Sequence, residues 1–231
     1  MKKTLLIIIG AMLLVGTTIA QKTDIKVDKD NRHIKNDPAA QALLDKVSAK
    51  YKTFGTMEME FSILLESKED NLKENMKGAA WMKKDKYRVR TDKIEIVCDN
   101  VKRWTYLKES NEVQVNFYEP DESTIESPAQ LFSLYSKNFF FRMLPDDKID
   151  GKTVKVVQLI PAKLDKATYE RIDLSINPVD NTIVRAKVYN KDKVTYTWLI
   201  TKFNPDTYIA DSRFVFDISK YPKVHVEDMT K

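Results

Sequence analysis

The chain has 231 residues, a formal net charge of +5 and a single cysteine. This length suffices for one domain with a substantial core, and one cysteine excludes a disulfide within the chain. The net charge is too small to indicate nucleic-acid binding, because nucleic-acid-binding domains usually concentrate basic residues in a strong patch.

Residues 1–20 have the pattern of a cleaved secretory signal. Lys2 and Lys3 precede an apolar run over residues 5–15, and a small-residue site ends at Ala20. A membrane anchor is the alternative, but the run is shorter than the roughly 20 apolar residues that cross a bilayer. Cleavage predicts export to the periplasm. Gln21 then stands where a lipoprotein carries its acylated cysteine, so we expect no lipid anchor.

Residues 21–36 are predicted to form a flexible leader, because they are charged and show no sustained period. The domain is predicted to span residues 37–231. Its first helix should begin at Asp37 as the N-cap, with Pro38 in the first turn, and end near Gly55. One apolar stripe of this helix comprises Ala40, Leu43, Leu44, Val47 and Tyr51.

The stretch TMEMEFSILLE, residues 56–66, alternates apolar and polar side chains, which is typical of a strand with one buried face. Similar runs follow and predict roughly ten antiparallel strands in all. The further runs are GAAWMKK, YRVRTDKIEIVCD, KRWTYL, EVQVNFY, VKVVQLIP, YERIDLSIN, TIVRAKVYN, VTYTWLITKF and SRFVFDI.

A second short amphipathic helix is predicted within SPAQLFSLYSKNFFFRML, with Ser127 as its cap. The phenylalanines at 139–141 after it are either core or an exposed tip. The fold class is therefore mainly β (α+β), with one large curved antiparallel sheet. Two helices cover little of so large an apolar face, so the rest is either ordinary core or a surface that a ligand occupies.

Catalytic and metal-binding patterns are missing from the sequence. The two histidines, His33 and His225, lie outside any metal spacing, and Cys98 alone forms no cysteine pair. No nucleophile elbow or phosphate-binding loop occurs. We therefore expect a binding protein with no cofactor and no metal. An unrelated hydrolase that uses a carboxylate pair is the alternative, because spacing alone does not exclude it.

Four stretches resemble the LolA family of periplasmic lipoprotein carriers. They are the first helix with EMEFSILL, then GAAWMKKDKYRVR, then CDNVKRWTYL, and finally FNPDTYIADSRFVFDISKYPKVHVED. The resemblance implies an unclosed half-barrel with a helical lid, whose apolar cavity takes the acyl chains of lipoproteins. It also implies a monomer that an inner-membrane ABC-type complex loads and that delivers cargo to an outer-membrane acceptor. Two alternatives stay open: a lipid or lipoprotein sensor of the same fold, and a carrier of another lipid or glycolipid.

The resemblance also implies site residues. The lid would use two groups of residues. The first group, on the first helix, is Leu43, Leu44 and Val47, and the second group, on the second helix, is Leu131, Phe132 and Tyr135. The cavity would be lined by Met57, Met59, Phe61, Ile63, Leu65, Trp81, Ile94, Ile96, Trp104 and Tyr106. Lys84 falls where the family has an arginine that latches the lid, and lysine lacks the planar fork of arginine, so the latch is weaker, displaced or absent.

Overall fold

A computed structural model describes residues 36–118, 139–165 and 167–230. The first 35 residues, with the predicted signal and nearly all of the predicted leader, lie outside this part. So does the second predicted helix. The described elements are α1 (Pro38–Lys52), β1 (Thr56–Ser67), β2 (Leu72–Lys83), β3 (Lys86–Thr91), β4 (Ile94–Cys98), β5 (Lys102–Leu107), β6 (Glu112–Phe117), β7 (Phe139–Ile149), β8 (Lys152–Pro161), β9 (Tyr169–Ile176), β10 (Ile183–Asn190), β11 (Val194–Pro205) and β12 (His225–Asp228).

The twelve strands form one sheet in the order β12-β6-β5-β4-β3-β2-β1-β11-β10-β9-β8-β7. Strands β12 and β7 are its two edges, so the sheet is open. Neighbours pair antiparallel throughout, except that β12 runs parallel to β6. The prediction of one large, mainly β, unclosed sheet with a helix across it is confirmed. The expectation of purely antiparallel pairing is wrong at this one edge.

Two strands escaped prediction, and one predicted strand is absent. β7 contains Pro145 and a bulge between Leu144 and Asp147, which an edge strand tolerates but which hides its pattern. β12 is short and mostly exposed. The predicted strand SRFVFDI, residues 212–218, does not form. A 3-10 turn covers Asp211–Phe214 instead, and the aromatic side chains of this stretch pack onto the face of the sheet.

Asparagine and aspartate supply most of the tight turns, because glycine is scarce in this sequence. Asn71, Asn100, Asn111 and Asn181 all have positive φ, a conformation that asparagine tolerates better than most residues. Asp150 and Asp206 also have positive φ.

Helix α1 begins as predicted. Asp37 is the N-cap, and its carboxylate accepts a hydrogen bond from the Ala39 N–H at 2.8 Å, with Pro38 in the first turn. The helix packs on one face of the sheet, which we call the inner face. The largest cluster of buried apolar residues lies between the two.

The opposite, outer face is covered over part of its width by the C-terminal segment, residues 206–230. Here Ile209 and Phe214 pack against Trp81, while Phe216 packs against Val97 and Val113. Parts of strands β2–β6 are therefore buried on both faces, with the main cluster on one side and the C-terminal segment on the other, whereas the outer positions Lys73, Asn75 and Lys77 of β2 are exposed.

Candidate functional site: the inner face of the sheet

The alternating residues of β1 point to the inner face. Met57, Met59, Phe61, Ile63 and Leu65 are all buried, and all belong to the same cluster as α1. The intervening glutamates lie on the outer face, where Glu58 accepts a hydrogen bond from the Trp81 indole N–H at 2.8 Å. The alternation predicted for this strand is therefore correct.

Seven of the ten predicted lining residues lie on the inner face and join this one cluster. They are the five residues of β1 together with Ile94 and Ile96 of β4.

The other three predicted lining residues lie on the outer face, which corrects their assignment. Trp81 is paired in register with Glu58, whereas Trp104 and Tyr106 are paired with Val97 and Glu95. These positions alternate with the inner-facing ones along their strands. They are apolar because the C-terminal segment covers them, not because they line the inner face.

Sequence reasoning missed several inner-face residues. On β2 they include Met76 and Met82, on β7 Met143, and on β11 Trp198, Ile200 and Phe203. The alternation in these strands could have found them. With Met57 and Met59, the inner face carries five methionines, whose unbranched and polarizable side chains adapt to irregular partners.

Gly78 shapes the centre of this face. It lies opposite Phe61 in register, and a Cβ atom there would come within 2.5 Å of the Phe61 ring. The absence of a side chain lets Phe61 lie across β2, with its centroid 5.1 Å from that of Trp198. A larger residue at this position would displace the ring.

Both ends of α1 are fixed to the sheet. At its start, the second oxygen of Asp37 accepts a hydrogen bond from the Met143 N–H at 3.1 Å, and the Asn36 side chain accepts one from the Phe141 N–H at 3.1 Å. At its end, the Tyr51 hydroxyl accepts a hydrogen bond from the Ile183 N–H at 3.1 Å. Burial raises the pKa of Tyr51 to about 12.

The first group of predicted lid residues lies on α1, and its role in a lid stays a prediction. Leu44 and Val47 are buried against the inner face, and Leu43 is half-buried beside them. The second group, Leu131, Phe132 and Tyr135, lies outside the described residues. The adjacent phenylalanines form the start of β7, and Phe139 and Phe141 are buried, so the core interpretation is confirmed for these two.

Lys84 occupies the tight turn between β2 and β3. Its backbone has a φ of 54° and its side chain is exposed. Within the described part of the chain it makes no hydrogen bond or ion pair. A latch between Lys84 and a lid stays a prediction.

One strip of the inner face is polar. On β5 and β6, Arg103 lies opposite Asn116 and Thr105 lies opposite Gln114, and Cys98 is the neighbour of Arg103 on β4. Cys98 is fully buried, as predicted. Burial, as the largest cause, raises the pKa of its thiol to about 11. A thiol in this state is unreactive at neutral pH.

Among the residues described, no group of histidine, cysteine, aspartate and glutamate is placed to bind a metal ion. No helix in the described ranges is long and apolar enough to cross a membrane.

No protein-family model and no curated protein matches this chain in sequence. Similar folds occur among solved structures. An uncharacterized conserved protein from Thermus thermophilus has a TM-score of 0.51 and 12% identity, over 82% of this chain and 99% of that one.

Two further structures are similar to this chain at lower TM-scores. The LolA superfamily protein NE2245 from Nitrosomonas europaea has a TM-score of 0.42 and 12% identity, over 77% of this chain and 98% of that one. LprF from Mycobacterium bovis has a TM-score of 0.44 and 14% identity, over 76% of this chain and 96% of that one. At these identities the similarity concerns the fold alone and assigns no role to this chain.

Proposed function

We propose that this protein is a periplasmic carrier that binds the acyl chains of lipoproteins on the inner face and ferries them from the inner to the outer membrane. One observation carries the proposal: a methionine-rich apolar face extends over β1–β4 and β7–β11, and α1 is the one α-helix that the structure describes across it. The sequence motifs that resemble the LolA family support the same role.

The energetics favour such a role. A buried methylene group is worth about 0.8 kcal/mol, so a sixteen-carbon chain exposed to water costs roughly ten kcal/mol or more. An acylated protein that crosses an aqueous compartment therefore needs an apolar surface to cover its chains. That surface must also release them, which favours adaptable side chains such as methionine over a rigid, densely packed core.

The partners follow from the resemblance. An inner-membrane ABC-type complex would load the carrier, and an outer-membrane acceptor would receive the cargo. The transfer itself requires no bond to be made or broken, so we expect no catalytic activity.

Identification of the bound material tests the proposal. The protein, purified gently from the cell envelope, would be analysed by native mass spectrometry, followed by lipid and peptide identification. Bound triacylated peptides or intact lipoproteins would establish the carrier role. Phospholipid or glycolipid alone would assign the inner face a different cargo. An empty protein that also fails to take up a synthetic acylated peptide would refute the proposal.

Two adjacent positions on β1 provide a matched pair of variants. Ile63 faces inward and is fully buried, whereas Leu64 faces outward and is half-buried. We expect Ile63→Asn to weaken the uptake of a synthetic acylated peptide at least tenfold and Leu64→Asn to leave it within twofold. Circular dichroism would first establish that both variants fold. Equal uptake by the two variants would contradict binding on the inner face.

A further inference from the structure

The polar strip on β5 and β6 contains buried polar atoms that have no hydrogen-bond partner among the residues described by the structure. Thr105 is 1% exposed, and its hydroxyl oxygen has no hydrogen-bond partner within the described ranges. The amide nitrogen of Asn116 is also buried and also without a partner. Leaving a buried polar group unpaired is costly, so nearly all such groups are paired in folded proteins.

The two residues that carry these atoms are near neighbours in the sheet. Arg103 is opposite Asn116 across the β5–β6 pair, and Thr105 is the next residue of β5 on the same face. Thr105 and Asn116 are therefore diagonal neighbours, a spacing of roughly 7–8 Å or less between side-chain-bearing carbons. The cationic Arg103, only 7% exposed, completes the strip. An amide N–H, a hydroxyl and a guanidinium on one small area together favour a group rich in oxygen acceptors.

The strip adjoins the apolar part of the inner face. Four strand spacings separate β5 from β1 in the sheet order, a distance of roughly 19 Å at the usual 4.7–4.9 Å between strands. An extended acyl chain is long enough to cover that span. A ligand with its chains over β1 and β2 can thus place its polar end at Thr105 and Asn116.

We propose that Thr105 and Asn116 bind the polar head of the acylated ligand through its oxygen acceptors, with the acyl chains on the apolar residues of β1, β2 and β11. This inference deepens the proposed function and depends on it. The ester and amide carbonyls of a lipoprotein and the phosphate of a phospholipid share the required chemistry. The unpaired polar groups would then be satisfied only in the loaded protein.

The test compares ligands with and without a polar head. The probes are a synthetic S-diacylglyceryl-cysteine lipopeptide, dipalmitoyl phosphatidylglycerol and the headless apolar dye diphenylhexatriene. The variants are Thr105→Val and Asn116→Leu, which remove the polar atoms and keep the volume nearly constant. We expect each variant to weaken the binding of at least one headed ligand roughly tenfold, the effect of losing one hydrogen bond of about 1.4 kcal/mol. Diphenylhexatriene affinity should stay within twofold.

Ser175 provides the control. Its hydroxyl is also buried without a partner, but it lies on the outer face of β9, where it pairs in register with Val156 and Arg185. Ser175→Ala should leave the affinity for all three probes unchanged. Thr105→Val should unfold at a temperature equal to or higher than the wild type, because it removes an unpaired buried hydroxyl, so misfolding would not account for weaker binding.

The outcomes separate the two proposals. Weaker binding of the lipopeptide alone assigns the strip to ester and amide carbonyls, and weaker binding of the phospholipid alone assigns it to phosphate; either supports the inference. Unchanged affinity of both variants for both headed ligands would overturn the inference while the carrier role stands. Failure of the wild-type protein to bind any of the three probes would overturn the carrier proposal and this inference together.

Discussion

The outer face of the sheet differs sharply between its two sides. Over β2–β6 the C-terminal segment covers part of it, with Phe216 stacked between Trp104 and Tyr221 at centroid distances of 6.4 and 4.6 Å. Over β7–β10 it borders solvent, although Val156, Gln158 and Ser175 on it are themselves buried, and its polar side chains bind one another. For example, Arg142 donates to Gln158, which donates to Asp173.

The difference shows that the two sides reach stability by different routes. A strand buried on both faces gains from apolar packing on each, whereas a strand with one wet face gains chiefly from its inner side. On the solvated side, the main stabilising contacts are therefore those that the inner face makes, including its contacts with α1. Perturbations of the outer face should therefore affect the two sides unequally.

The largest expected effect is at the covered side. Phe214 is fully buried against Trp81 and Ile209, so Phe214→Ala should lower the free energy of unfolding by about 3–5 kcal/mol. On the solvated side, the Tyr189 ring lies 3.6 Å from the Arg171 guanidinium, and Tyr189→Ala should cost about 1 kcal/mol or less. Urea unfolding of both variants measures the difference. Equal losses would mean that the C-terminal segment does not stabilise the sheet.

Two ion pairs of the same length give a second comparison. Arg88 and Glu95 on the covered side approach to 2.6 Å, with side chains 18% and 6% exposed, and the Tyr221 hydroxyl donates to Glu95 at 2.8 Å. Glu95→Gln should destabilise the protein by about 3 kcal/mol, since it leaves a largely buried cation without its counter-charge.

The matching pair on the solvated side joins Arg185 and Asp147, also at 2.6 Å, with Asp147 48% exposed. The hydrogen bond from Arg185 holds the pKa of Asp147 below its usual value, but water screens the pair. Asp147→Asn should therefore change the unfolding free energy much less than Glu95→Gln does. A larger effect at Asp147, measured by urea unfolding at neutral pH, would contradict the dependence on burial.

The same contrast explains which features the sequence predicted. The alternation in β1 was easy to recognise because its outer positions are polar, as Glu58 and Glu60 show. On β5 both faces carry apolar or partly buried side chains, so alternation alone does not tell which face meets α1. Trp104 and Tyr106 were therefore assigned to the wrong face. The covering segment responsible comes from more than a hundred residues later in the chain, a distance over which periodicity carries no information.

The polar strip was missed for a related reason. Thr105 and Asn116 are ordinary strand residues in sequence, and only the register of β5 with β6 places them on the inner face together. Helix α1 was predicted well because its signals are local: an N-cap, a proline in the first turn and an apolar stripe.

A smaller, pH-dependent effect is expected at the start of α1, which fixes the solvated side through β7. Hydrogen bonds from the Met143 and Ala39 N–H groups lower the pKa of Asp37 below 3.8. The ionised carboxylate therefore stabilises the fold above the unfolded-state pKa, and this contribution is lost as the pH falls through the lower folded-state pKa. Asp37→Asn should be less stable than the wild type at pH 7, and the difference should shrink in acid. Urea unfolding at pH 7, 5 and 3 measures it, and a difference independent of pH would exclude the charge of Asp37 as its cause.

The smallest effect on stability is expected at Lys84, in the turn of the covered side. Its side chain is exposed and its φ is 54°, so Lys84→Ala removes no buried contact, and Lys84→Gly should stabilise slightly because glycine adopts positive φ without strain. The neighbouring Lys83 instead reaches the C-terminal segment, with an ion pair to Asp211 at 3.2 Å. If Lys84 serves as the lid latch, Lys84→Ala changes the rate of release of a fluorescent acylated peptide modestly while Lys83→Ala does not. Release rates equal to wild type in Lys84→Ala would contradict a latch at this residue. The predicted difference in stability between the two sides of the sheet does not depend on the latch.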